Sequence, residues 1–293
     1  MIVAAHPATV SRAASVAPVN DTRTPRTDFD DPQALALEAA EALATATGVP
    51  RHEVAIVLGS GWGPAADALG TTIAEIDADS LPGFLPPVAD GHHGRIRSVD
   101  ADGTPVLDFL GRTHLDEGHG VDAVVHAVRT AAAAGCRVII LTNGCGGLDP
   151  SWTPGTPVLI RDHLNLFGVT PLRGATFIDM TDLYSPRLRS IAHDIDPTLD
   201  EGVYCQFRGP QYETPAEVRM AKTIGGHIVG MSTALEAIAA RQAGMEILGL
   251  SLVTNLAAGM TGEPLSHEEV LTAGKASASR MGSLLAQVIR RLS

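Results

Sequence analysis

Apolar residues along this chain come in short dense runs, each stopped by small or polar residues. VAIVLG (54–59), VLDFLG (106–111), RVIILTN (137–143), IVGMS (228–232) and EILGLSLVTN (246–255) are short and apolar throughout. Their length and their glycine or polar stops predict buried strands. Helical stretches lie among them: ALALEAAEALATATG (34–48), VDAVVHAVRTAAAAG (121–135), ALEAIAARQAG (234–244) and a long C-terminal one over 267–292. Pro32 can open the first at its first position, and Gly48 can stop it. Strands alternating with helices predict an α/β fold, a single domain over 31–293 with a mixed central β-sheet flanked by helices. Residues 1–30 are rich in Ala, Ser, Thr, Pro and Asp without an apolar period, and read as a flexible N-terminal tail.

Charge narrows the partners. With 21 Lys and Arg against 33 Asp and Glu, the net charge is −12. A surface that acidic argues against binding nucleic acid through its backbone, although a local grip on a small anion stays open. Three scattered cysteines (Cys136, Cys145, Cys205) predict neither a disulfide framework nor a cysteine zinc site. No apolar run approaches the roughly 20 residues of a membrane helix, and the N-terminus lacks a secretory pattern. The expectation is a soluble, cytoplasmic protein with no membrane partner.

Candidate chemistry gathers where strands end, the edge of an α/β sheet where ligands bind. GSGWGP (59–64) places Ser60 between a strand and a helix start. A helix start offers N–H groups to an anion, and a plain tight turn fits equally well. GHHGR (91–95) reads as a surface loop or as a loop that closes over a ligand. GRTHLDEGHG (111–120) holds Arg112, His114, Asp116 and His119; a metal site, an anion grip and a polar turn are all compatible with its spacing. In TNGCGGLDP (142–150) three glycines after Asn143 suggest close backbone approach to a ligand, or a turn.

Capping accounts for some acids and not others. In GPQYETPAEVRM (209–220), Thr214, Pro215 and Glu217 form a helix start with a capping box. Tyr212 and Glu213 are left outside it, an aromatic ring beside a carboxylate, which suits a heterocycle. Glu236 and Glu269, three residues after Thr233 and Ser266, read as capping-box acids. Ser232 at a helix start fits an anion. Asn255 ends the most apolar strand with an amide that can both donate and accept.

Eight segments, VLGSGWG, GHHGR, GRTHLDEGH, LTNGCGGL, LIRDHLNLFG, GPQYETPAE, VGMSTALEAIAAR and LVTNLAAGM, resemble those of purine nucleoside phosphorylases, in the same order and over roughly 35–292. The type resembled is the homotrimer specific for 6-oxopurines. The resemblance implies that a purine (deoxy)nucleoside and phosphate give free purine and (deoxy)ribose 1-phosphate. It implies no metal and no cofactor, phosphate being a co-substrate. By motif, Ser60, His92, Arg112, His114, the Gly144 backbone and Ser232 would hold phosphate. Glu213 and Asn255 would bind the purine, with Asn255, Glu213 and His92 as the catalytic set. Tyr212 and Met231 would line base and sugar, His267 would approach the 5′-hydroxyl, and Phe177 would reach a neighbouring subunit's site. Asp116 departs from the family's usual Tyr, and Gly144–Cys145 from its Ala-Ala. Three rivals stand beside this reading: a methylthioadenosine phosphorylase, a nucleoside hydrolase, and a non-catalytic purine- and phosphate-binding homologue.

Overall fold

A computed structural model describes residues 28–86, 94–166, 168–262 and 264–292. Almost all of the expected tail, residues 1–27, lies outside the described residues. Residues 28–30 are described, and Arg173 donates to the carbonyls of Phe29 and Asp30 at 2.9 and 3.1 Å.

The first helix, α1 (Pro32–Thr47), starts and stops as its ends predict. Asp31 accepts from the backbone N–H groups of Gln33 and Ala34, and Gly48 ends the helix at φ 70°. Leu35, Ala36, Ala39, Ala40 and Leu43 form its buried face, spaced as one helical stripe requires.

Among the described residues, nine strands form one sheet: β1 (Val54–Leu58), β2 (Thr71–Asp77), β3 (Arg95–Ala101), β4 (Thr104–Leu110), β5 (Val138–Gly147), β6 (Pro157–Asn165), β7 (Asp200–Gln206), β8 (Ile228–Gly230) and β9 (Glu246–Leu256). Their order is β2-β3-β4-β1-β5-β8-β7-β6-β9, and β9 also pairs with β5, so five strands close on themselves. Pairings of both senses make the sheet mixed, as expected: β1 lies parallel to β4 and β5, while β2–β3, β3–β4 and β6–β9 are antiparallel.

The five apolar runs all became strands; β2, β3, β6 and β7 were not expected. The reason is their polarity. β2 is an edge strand exposed along most of its length, and β3 buries Arg97 against the fully buried Asp108 of β4 at 2.9 Å. The stretch 142–147 is strand, not turn: β5 runs through Thr142–Gly147, paired to β9. There the ladder slips. Cys145 faces Val253 but Gly146 faces Asn255, so Thr254 is an extra residue on β9.

The helix expected over 121–135 is two, α2 (Val121–Val124) and α3 (His126–Ala133). Ala123, Val124 and Val125 are all buried, and three successive residues cannot share one face of a regular helix. The rest are α4 (Pro186–Ile195), α5 (Pro215–Thr223), α6 (Ala234–Gln242) and α7 (His267–Arg290). Two large apolar clusters, around Leu107–Ile139–Tyr204 and around Ile56–Leu250–Leu285, contain residues of the sheet and of the helices beside it.

Candidate functional site

Strand ends converge on one cavity of about 450 Å³. Ser60 comes from the loop after β1, Arg112 and His114 from the loop after β4, and Gly144 from β5. Met231 and Ser232 follow β8, Tyr212 and Glu213 follow β7, and Asn255 is near the end of β9; all of them line the cavity. The structure thus brings together nine of the twelve expected site residues. His92 falls in 87–93, outside the described residues. His267 is the first residue of α7. Phe177 lies away from this cavity, 94 % exposed, beside a separate hollow lined by Leu172, Ile178 and Met180.

The cavity has a cationic end. Arg112 is buried; its Nε donates to Glu236 at 3.1 Å and its Nη1 to the Thr142 carbonyl at 2.7 Å. His114 stands beside Glu117, which accepts from the His114 backbone N–H at 2.6 Å and lies 3.5 Å from its ring. Burial alone would raise the Glu117 pKa, but these hydrogen bonds outweigh it and hold the group below the usual carboxylate range. In the stretch 111–120, Arg112, His114 and Asp116 line the cavity while His119 is exposed. Among the described residues, no three His, Cys, Asp or Glu side chains gather as a metal site would need.

Ser232 contributes its side chain rather than the helix start behind it. The N–H of Ser232 donates to the Tyr204 hydroxyl at 3.1 Å, that of Thr233 to Glu236 at 2.9 Å, and that of Ala234 to Gln206 at 2.8 Å. Three successive amides are turned to protein acceptors, which corrects the expectation that helix-start N–H groups there would meet an anion. Thr233 sits at φ 80°, costly for a β-branched residue by about 1–3 kcal/mol. Its Oγ1 accepts from the Asn143 amide at 2.9 Å and lies 3.1 Å from Ser232 Oγ.

Glu213 and Asn255 also line the cavity. Both are buried. Glu213 Oε1 has no hydrogen-bond partner among the described residues, and burial raises the pKa of this carboxyl above its usual value. A buried carboxylate oxygen without a donor is expensive unless a ligand supplies one. Tyr212 stands next to it, 37 % exposed. The slip in β9 lets both Thr254 and Asn255 line the cavity, although neighbours on a regular strand face opposite ways.

Several residues in and behind the cavity were not legible in the sequence. Glu117 could have been found, being three residues after His114. Thr254 could not, because alternation turns it away from Asn255. Capping explains only one oxygen of Glu236, which accepts from Thr233; the other holds Arg112 from behind the cavity. The Cys145 thiol, also on the cavity wall, is buried and held far above the usual thiol range. It is a packing group, not a nucleophile.

Residues 53–290 match the model of the phosphorylase superfamily. A purine nucleoside phosphorylase from Cellulomonas sp is 55% identical over 97% of this chain and 100% of its own length. The chain belongs to this family. A second relative, the purine nucleoside phosphorylase of Mycobacterium tuberculosis, is 57% identical over 89% of this chain and 97% of its own. In structure, a Schistosoma mansoni purine nucleoside phosphorylase in complex with adenosine aligns with a TM-score of 0.80 at 31% identity, covering 88% of this chain and 97% of that one. The fold is therefore that of the nucleoside phosphorylases, and the activity is that of a purine nucleoside phosphorylase, a pentosyltransferase.

Proposed function

We propose that the cavity carries out phosphorolysis of 6-oxopurine nucleosides. Inosine, guanosine and their 2′-deoxy forms react with phosphate to give the free base and (deoxy)ribose 1-phosphate. The observation that carries the base assignment is the buried Glu213 oxygen with no donor among the described residues, in the same cavity as Asn255. A 6-oxopurine has a ring N–H for that oxygen, while the Asn255 amide donates to a carbonyl or ring nitrogen.

The chemistry follows from where charge develops. Breaking the glycosidic bond leaves positive charge on the sugar and negative charge on the departing purine. Phosphate held by Ser60, Arg112, His114 and Ser232, with the Gly144 backbone beside it, stabilises the cation and then bonds to the anomeric carbon. Asn255 bridges N7 and O6 as the purine gains a proton, so its hydrogen bonds strengthen toward the transition state. Met231 and Tyr212 bound the sugar and base, and the roles that the family resemblance implies for His92, on phosphate, and His267, on the 5′-hydroxyl, belong to the same reading. Phosphate is the co-substrate, and neither metal nor organic cofactor has a part. The exposed ring of Phe177 suits a homotrimer in which it completes a neighbour's site, and the reading is of a cytoplasmic enzyme.

The test is purine release from inosine, guanosine and adenosine, each with and without phosphate. Phosphate-dependent release from the first two alone is expected. Release from adenosine, the ligand named with the Schistosoma mansoni neighbour, would favour a base preference like that of methylthioadenosine phosphorylases. Release without phosphate would mean a hydrolase. Asn255→Ala should lower kcat/KM by roughly 10²–10³, as for loss of one transition-state donor; a change under about threefold contradicts the role.

A further inference from the structure

Glu236 lies behind the cationic end of the cavity and is 1 % exposed. Its two oxygens face different halves of that end. Oε1 accepts from Arg112 Nε at 3.1 Å, and Oε2 accepts from the Thr233 backbone N–H at 2.9 Å. Arg112 and Glu236 are 124 positions apart in sequence, so this carboxylate joins the loop after β4 to the turn between β8 and α6. With Nε on Glu236 and Nη1 on the Thr142 carbonyl, the guanidinium plane is fixed from two directions. The second oxygen helps hold Thr233 at its positive φ, and that residue sets the direction of Ser232.

We propose that Glu236 is a positioning residue for phosphate: one buried carboxylate that orients Arg112 and the Ser232 turn together and balances the Arg112 charge. The proposal rests on the reading of this end as the phosphate subsite. Capping alone would need one oxygen, and the other is committed to a cavity residue. The chemistry of an amide shows what is at stake. Both groups that meet Glu236 are donors, and a glutamine has one acceptor oxygen. In Glu236→Gln, either Arg112 or the Thr233 turn loses its partner, and Arg112 loses its buried counter-charge. Glu236 does not line the cavity, whereas Glu213 and Asn255 do, so the defect falls on phosphate and spares the base.

The experiment measures KM for phosphate and for inosine in the wild type, Glu236→Gln, Arg112→Ala and the double variant. Glu236→Gln should raise the phosphate KM by about tenfold or more while the inosine KM stays within about twofold. Added to Arg112→Ala, it should cost less than about threefold, because with Arg112 gone the single amide oxygen is free to serve the Thr233 N–H and no guanidinium is left to misplace. Equal rises in both KM values, full additivity in the double variant, or no change in Glu236→Gln would each overturn the proposal. If Glu236→Gln does not fold, Glu236→Asp retains the buried charge but is one carbon too short to span both partners. The same phosphate-only defect is expected of it, and a normal phosphate KM would overturn the proposal. Should Arg112→Ala itself leave the phosphate KM unchanged, the subsite reading fails instead, separately from Glu236.

Discussion

The indole N–H of Trp62 donates to the backbone carbonyl of Asn143 at 2.9 Å, tying the loop after β1 to β5 at the point where Gly144 enters the cavity. Trp62 is 1 % exposed, so the bond is dry. Trp62→Phe keeps an aromatic ring but strands the carbonyl. The expected cost is about 1–3 kcal/mol of stability, read as a lower thermal midpoint. A rise in the phosphate KM should accompany it, because Ser60 and Gly144 lie on the two segments that the bond joins.

Gly274 of α7 has no room for a methyl group. A Cβ there would run into the carbonyl oxygen and Cα of Gly61, in the loop that carries Ser60. Backbone cannot swing aside as a side-chain tip can, so Gly274→Ala must move α7 or that loop. The expected outcome is a loss of about 1–3 kcal/mol together with weaker phosphate binding, followed by thermal melting and the phosphate KM. Unchanged values for both would show that the two segments separate freely.

Asp116 lines the cavity rather than turning away from it. A carboxylate a few ångströms from a bound anion repels it on the scale of ~1 kcal/mol through water. Asp116→Tyr removes the charge and adds a surface for the sugar, and should lower the nucleoside KM by about threefold to tenfold. An equal or higher KM in steady-state assays would count against a sugar contact at this position.

Glu213 predicts two opposite pH trends across one window. Burial raises its pKa above the ordinary 4.5, so the folded protein favours the neutral acid. That contribution to stability is complete below the ordinary value and is lost as pH rises through the raised one. In the proposed function the carboxylate accepts from the purine, so nucleoside affinity should rise across the same window. Glu213→Gln should flatten both curves, in melting and in the pH profile of the nucleoside KM.

Five apolar runs were legible as strands because burial on both faces leaves an uninterrupted signature. β3 and β7 were not, since Arg97, Tyr204 and Gln206 satisfy their polar atoms only through partners distant in sequence. Twelve residues were named from recognisable segments, and nine of them line the cavity, whereas Phe177 stands at a separate hollow. Glu236 is only half legible in the sequence: a capping box explains one carboxylate oxygen, and nothing local to the sequence reveals where the other goes. The breadth of the α2–α3 break was hidden too, because small alanines fit a continuous helix as well as a bent one.

The extra residue in β9 decides how many side chains that strand offers the cavity. Without Thr254 the ladder would run on regularly, Asn255 would still stand opposite Gly146, and alternation would leave one inward side chain there instead of two. What the insertion adds is a local bend beside the amide. The irregularity is thus a matter of aim, not of presence: a shorter strand would keep the same amide and point it along a straighter line.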